Sequence, residues 1–150
     1  MPVIVSGSDP EIRVIPPERR HVSLVGFGRF HEILPRQIVR LDAALRKLDD
    51  PVFPASFESL MSFAPSGAIV LTEGRGVAAL HDFQGRVCDA LSIPRQARSF
   101  TPHITLAYGS RTVPRQVVGP VAWRVTELRL IHSLRGPTRH LVKARWPLPV

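Results

Sequence analysis

The chain has 150 residues, 44% of them hydrophobic and 21% charged, which is the composition of one globular domain and not of a disordered chain. Its single cysteine, Cys88, excludes an internal disulfide, and no run nears the roughly 20 apolar residues that a membrane helix needs. A net charge of +8 gathers anions at the surface and favours nucleic acid or phosphorylated partners.

In chain order, the stretch from Met1 to Pro17 carries a β-branched run, Val3-Ile4-Val5, then Ser-Gly-Ser-Asp-Pro and Pro16-Pro17. It has room for one small strand and a turn. His21 to Phe27 reads as a strand ended by Gly26 and Gly28. Pro35 suits a first helical turn, and Ile38, Leu41, Leu45 and Leu48 then share one helical face until Asp49-Asp50-Pro51 stops the helix. Phe53, Phe57, Met61 and Phe63 fall on odd positions, the alternation of a half-buried strand, with Ala68 to Thr72 as its hairpin partner.

Between Gly76 and Leu91 the apolar spacing turns helical through Val77, Leu80, Phe83, Val87 and Leu91, and Pro94 ends that helix. His103 to Tyr108 reads as a short strand. Val121 to Leu134 and His140 to Trp146 read as two strands joined around Gly136-Pro137, with a bulge or bend where the apolar phase shifts between Val125 and Leu128. Strands, hairpins and helices interspersed in this way predict an α+β fold with mainly antiparallel sheet. No linker or low-complexity stretch divides the chain, so residues 1–150 are expected to form a single domain.

Two segments match each other: His21-Val22-Ser23-Leu24 and His103-Ile104-Thr105-Leu106, each histidine, aliphatic, hydroxyl, leucine. Side chains alternate along a strand, so each histidine shares a face with the hydroxyl two residues on, while the aliphatic pair anchors the other face. Two such strands at a common groove present two imidazoles and two hydroxyls. That set suits in-line displacement at phosphorus: one neutral histidine takes a proton from water, one protonated histidine gives a proton to the leaving oxygen, and the hydroxyls hold the non-bridging oxygens. Histidine serves both purposes because its ordinary pKa lies near neutrality.

With those motifs the chain resembles the 2H phosphoesterases, and among them the bacterial RNA 2′,3′-cyclic phosphodiesterases also called 2′-5′ RNA ligases. The first family motif, Pro-Glu-x-x-His-x-Thr/Ser-Leu-x-Phe-x-Gly, is matched from Pro17 to Gly28 with the glycine and the aromatic displaced. The second, Phe-x-Pro-His-x-Thr-Leu, is matched from Phe100 to Leu106, and a closing pattern is matched by Glu127 to Ser133 and Ala144 to Leu148. The resemblance implies a bilobal α+β fold in which two mainly antiparallel sheets each donate one motif to a central groove. The stretch before His21 is too short for the strand and full helix with which relatives usually begin, so either the first lobe is expected to be abridged at its N-terminus or the true start is expected to lie upstream. The implied reaction opens a nucleoside or RNA 2′,3′-cyclic phosphate to a 2′-phosphate, with weak reversible 2′-5′ ligation. His21 and His103 would be catalytic, and Ser23, Thr105 and Tyr108 would contact substrate, Tyr108 standing where many relatives carry an arginine.

Other residues have plainer readings. His31 reads as a solvated turn residue, His81 as a partly buried helical one, His132 as a sheet histidine, and Arg139 and His140 as surface charge. Trp123 and Trp146 read as core or rim aromatics, and Cys88 as a small apolar helix residue. Arg95, Arg98 and Arg111 flank the second motif, where they either funnel a polyanion or are merely solvated. No His-Glu-x-x-His, paired cysteines or clustered carboxylates occur, and Gly26-x-Gly28 lacks the third glycine of a dinucleotide fingerprint. Neither a metal nor an organic cofactor is expected. The expected partner is RNA or a nucleotide with a cyclic phosphate terminus. No membrane association is expected, and the N-terminus lacks a basic-then-apolar leader, so a cytoplasmic monomer is the reading. Two rivals stand beside it: a non-catalytic RNA-binding module, and a phosphodiesterase for a small cyclic nucleotide such as ADP-ribose cyclic phosphate.

Overall fold

The chain, in a computed structural model that describes residues 12–28, 32–95, 100–134 and 139–150, alternates strands and helices. Strand β1 (Arg13–Val14) is followed by one turn of 3-10 helix (Pro17–Arg19) and helix α1 (Pro35–Leu45). Strands β2 (Phe53–Phe63) and β3 (Ala68–Thr72), helix α2 (Val77–Ala90) and strand β4 (His103–Tyr108) come next. Strands β5 (Gln116–Val125), β6 (Glu127–Leu134) and β7 (Arg139–Pro147) complete the order. One sheet has five strands in the order β1-β4-β3-β2-β5, and the other pairs β6 with β7. The pairings recorded in both sheets are antiparallel, as the sequence led us to expect. The strand expected at Val3-Ile4-Val5 lies outside the described residues.

Two compact units emerge. The first holds the chain up to Ser23 together with Ser56–Val77 and Thr101–Ala122, and the second holds Leu24–Ala55, Ala78–Phe100 and Trp123–Val150.

In the first unit, β3 lies between β2 and β4 and is buried along its whole length. That explains its unbroken Ala-Ile-Val-Leu-Thr run: a central strand covered on both faces has no solvent side to make polar. The β2 to β3 turn closes tightly at Gly67, whose N–H donates to Phe63 O at 3.0 Å and whose own carbonyl accepts from Gly109 N–H at 3.0 Å. Gly67 has φ +75°, and a side chain there would meet Gly109 O at 2.5 Å, so only glycine fits.

In the second unit, Leu45, Phe83, Val87 and Leu148 form a buried core with Leu48, Phe53, Leu128 and Trp146 packed around it. Burial of such side chains contributes about 1.5 to 3 kcal/mol each. Helix α1 starts with Pro35 at its first position, and Gln37 Oε1 accepts from Leu34 N–H at 2.7 Å, meeting one of the amides the helix itself leaves unbonded. The helix ends at Leu45, earlier than the apolar spacing suggests, because the chain tightens into turns in which Lys47 N–H bonds Ala44 O and Leu48 N–H bonds Leu45 O. Trp146 Nε1 donates to Asp42 Oδ1 at 3.1 Å, which ties β7 to α1. The buried Gln84 side chain of α2 donates to Leu24 O at 3.3 Å.

Two expectations need correction. The segment from His21 to Phe27 is not a strand; only Val22 makes an isolated antiparallel bridge, to Ile104. The tail strand expected over Val121 to Leu134 is broken at Thr126, where β5 in the five-stranded sheet gives way to β6 in the other sheet. The phase shift, expected as a bulge or bend, marks the break at Thr126 where the chain changes sheet; a register shift occurs further on, at Leu130/Ile131. No helix of the described residues is long and apolar enough to cross a membrane.

Candidate active site

His21 and Ser23, and His103 and Thr105, lie in the first unit. β4 uses one edge to pair with β3, and its other edge receives β1 and then Val22. Along that edge Arg13 pairs with Tyr108, Val14 with Ala107, and Ile15 N–H donates to Leu106 O at 2.7 Å. The 3-10 turn at Pro17–Arg19 is then inserted, and the chain rejoins β4 where Val22 meets Ile104.

That antiparallel bridge sets Ser23 opposite His103 and His21 opposite Thr105, all on the face away from Val22 and Ile104. Burial follows the same alternation: Ile104 and Leu106 are buried, whereas His103 and Thr105 are half-buried and His21 and Ser23 are exposed. His21 and His103 are therefore diagonal neighbours on one face, a relation that in antiparallel pairs puts Cα atoms about 7 to 8 Å apart. The motifs are not donated one by each sheet; they lie side by side along β4.

Each imidazole is held the same way. His21 Nδ1 lies 2.8 Å from Arg19 O, and His103 Nδ1 lies 2.8 Å from Thr101 O. A carbonyl oxygen can only accept, so Nδ1 carries the hydrogen in both neutral rings, and Nε2 is the nitrogen that gains or loses a proton. The ring of Phe63 also meets His103 edge-on, with centroids 5.0 Å apart. The carbonyl of Pro102, next to His103, accepts from the buried Thr72 hydroxyl at 2.8 Å, which fixes the start of β4.

Tyr108 reaches this face through a bulge. Ile69 pairs with Ala107 but Val70 pairs with Thr105, so β4 carries one extra residue there. Leu106 and Ala107 are both buried, and the residue after them turns back to the other side. Val70 and Ala68, two apart on the regular strand β3, pair with Thr105 and Tyr108 and confirm the shared face. Arg13, opposite Tyr108, has its guanidinium carbon 5.4 Å from the centre of that ring.

At the far end of β3, Glu73 accepts from Arg115 Nε at 2.7 Å and from Ser59 Oγ at 3.2 Å. The hydrogen bond from Arg115 is the main reason its carboxyl is held below the usual carboxylate range. Glu58 Oε2 accepts from Arg75 N–H at 3.3 Å, securing the loop that leads into α2.

The remaining candidates fall elsewhere. His81, His132 and His140 belong to the second unit, His81 edge-on to Phe100 and His132 paired with Leu141 in the β6–β7 ladder. Cys88 is fully buried. Arg95 pairs with Asp89, whose carboxyl it holds below the usual range. Arg111 is exposed in the first unit, and His31 and Arg98 lie outside the described residues. Among the described residues no group of three or more His, Cys, Asp or Glu could hold a metal ion. Arg13 and Phe63 escaped the sequence reading as site residues. Arg13 lies on a two-residue exposed strand and Phe63 ends an eleven-residue one, and that they share a face shows only once the pairing is known.

A family model described as the 2′-5′ RNA ligase superfamily matches residues 6–137. Among solved structures the chain is similar to apo E. coli LigT, at 25% identity over 97% of this chain and 85% of that one, with TM-score 0.68. It is similar to a phosphoesterase at 22% identity over 93% and 83%, with TM-score 0.74. TT0787 of Thermus thermophilus gives 23% identity over 94% and 85%, with TM-score 0.67. E. coli LigT has also been crystallised with ATP, NADP+, 3′-AMP and phosphate. No curated protein matches the chain.

Proposed function

The chain belongs to the 2′-5′ RNA ligase superfamily, a family of phosphoester chemistry, and on that premise we propose that it opens RNA or nucleoside 2′,3′-cyclic phosphates to 2′-phosphates with two histidines. The observation that carries the reading is the Val22–Ile104 bridge, which puts His21, Ser23, His103 and Thr105 on one face. The matched hydrogen bonds from Nδ1 to backbone carbonyls support it, because they turn each Nε2 into the proton-exchanging atom. The phosphate and nucleotide complexes of E. coli LigT support a phosphate-bearing nucleotide as ligand here.

In this mechanism Nε2 of neutral His103 takes a proton from water as the water oxygen attacks phosphorus. The bond from phosphorus to the 3′ oxygen breaks, and Nε2 of protonated His21 gives that oxygen its proton. The product is a 2′-phosphate monoester with a free 3′ hydroxyl, and the two histidines have exchanged protonation states. Ser23 and Thr105 hold the non-bridging oxygens as charge grows on them. Both proton transfers are made by side chains, so the mechanism asks for no metal. A 5′ hydroxyl attacking the cyclic phosphate in place of water, with the same bond to the 3′ oxygen breaking, would leave a 2′-5′ phosphodiester, and the reverse of that step would regenerate the cyclic end.

Phosphorus NMR of the product from a 2′,3′-cyclic mononucleotide tests the reading. A 2′-phosphate is expected. A 3′-phosphate would reverse the leaving group, and full activity in either His21→Ala or His103→Ala protein would refute the two-histidine mechanism.

A further inference from the structure

Arg13 stands on the edge strand directly across from Tyr108, and cross-strand partners share a face. The bulge that buries both Leu106 and Ala107 returns Tyr108, and so Arg13, to the face of His103 and Thr105. A guanidinium whose carbon lies 5.4 Å from the centre of a phenol ring is attracted to the ring face and so is held near it. Arg13 is exposed, and among the described residues no carboxylate is paired with it. A positioned, uncompensated cation on this face is a site for an anion.

Its distance says which anion. A strand rises roughly 3.3 Å per residue, so the step from Thr105 to Tyr108 puts Arg13 on the order of 7 to 10 Å beyond the row of His21 and Thr105. With the guanidinium carbon held 5.4 Å from the centre of the Tyr108 ring, that offset is on the order of one nucleotide along an extended single strand.

We propose that Arg13, held by Tyr108, binds the phosphodiester flanking the reacting phosphate, so that the preferred substrate is the end of an oligonucleotide and not a mononucleotide. This rests on the phosphodiesterase reading above and names its substrate class. Arg13 would act on binding and register, with no part in proton transfer.

The test compares wild-type protein with Arg13→Ala and Arg13→Lys on a trinucleotide and a mononucleotide, each ending in a 2′,3′-cyclic phosphate. Binding of the 3′-phosphorylated, non-reacting forms is measured alongside over a range of salt. Arg13→Ala should lose about tenfold more kcat/KM on the trinucleotide than on the mononucleotide, mainly through KM, as expected for one charge-assisted phosphate contact. The slope of log affinity against log salt for the trinucleotide should fall by about 0.7, one phosphate contact on a single strand. Arg13→Lys should keep the slope but recover only part of the affinity, since an ammonium meets a phosphate as a point charge and not through a planar fork of N–H donors. Equal losses on both substrates, or an unchanged salt slope, would overturn the proposal. Should wild-type protein hydrolyse neither substrate, the phosphodiesterase reading fails by itself. The binding comparison then still decides: a trinucleotide preference that disappears with Arg13 upholds the subsite, and none in the wild type refutes it.

Discussion

The ring of Phe63 meets the imidazole of His103 edge-on, with centroids 5.0 Å apart and planes inclined at 67°. Phe63 ends β2, two strands away from β4, so the contact reaches over β3 and braces the ring from across that strand. With Nδ1 held by Thr101 O at 2.8 Å, the imidazole is fixed at one nitrogen and by one ring contact, which aims Nε2.

Removing that brace should act on orientation. Phe63→Ala is expected to lower kcat about tenfold while KM changes less, since an aromatic edge contact is worth about 0.5 to 1.5 kcal/mol. Phe63→Tyr keeps the edge and should keep most of the rate. Steady-state kinetics of the two variants check this; a loss confined to KM would assign Phe63 to substrate contact.

Replacing either histidine by alanine should cost about 10² to 10⁴ in rate. The double variant should lose less than the product of the single losses, because both rings serve one displacement. EDTA should leave the rate unchanged. The dependence of kcat/KM on pH should be a bell, because one ring must start neutral and the other protonated, and its limbs belong to the pair and not to either residue.

Ser23→Ala and Thr105→Ala should each cost about 0.5 to 1.5 kcal/mol of transition-state stabilisation, the range for a lost neutral hydrogen bond, and therefore less than a histidine. Single-turnover rates on a cyclic mononucleotide would measure it. Unchanged kinetics in the double variant would remove the hydroxyls from the mechanism.

Glu73 gives a pH dependence of stability. Its carboxyl is held below the usual range chiefly by the hydrogen bond from Arg115, so its contribution is fully present above the ordinary carboxylate pKa and is lost as pH falls through its lowered value in the folded protein. Both side chains are about half exposed, at 55% for Arg115 and 45% for Glu73, so solvent screening limits the pair to about 0.2 to 1 kcal/mol. Urea midpoints of wild-type and Glu73→Gln proteins should differ at neutral pH and converge in acid. A difference that persists at low pH would mean the charge is not its source.

Much was legible before any coordinates. The alternation of Phe53, Phe57, Met61 and Phe63, the run from Ala68 to Thr72, the helical spacing from Val77 and the strand from His103 to Tyr108 all correspond to observed elements, because burial imposes period 2 on strands and period 3.6 on helices. The repeated histidine, aliphatic, hydroxyl, leucine pattern marked four residues that share one face for the same reason. Pairing was not legible, since it joins residues far apart in sequence. That Val22 lies beside Ile104, that one extra residue in β4 turns Tyr108 back to the face of the histidines, and that Arg13 lies across from it, were decided only in the tertiary structure. Periodicity tells which face a side chain takes along its own strand, but hydrogen bonding between strands decides which strands adjoin and in what register, and a one-residue shift there exchanges one face for the other.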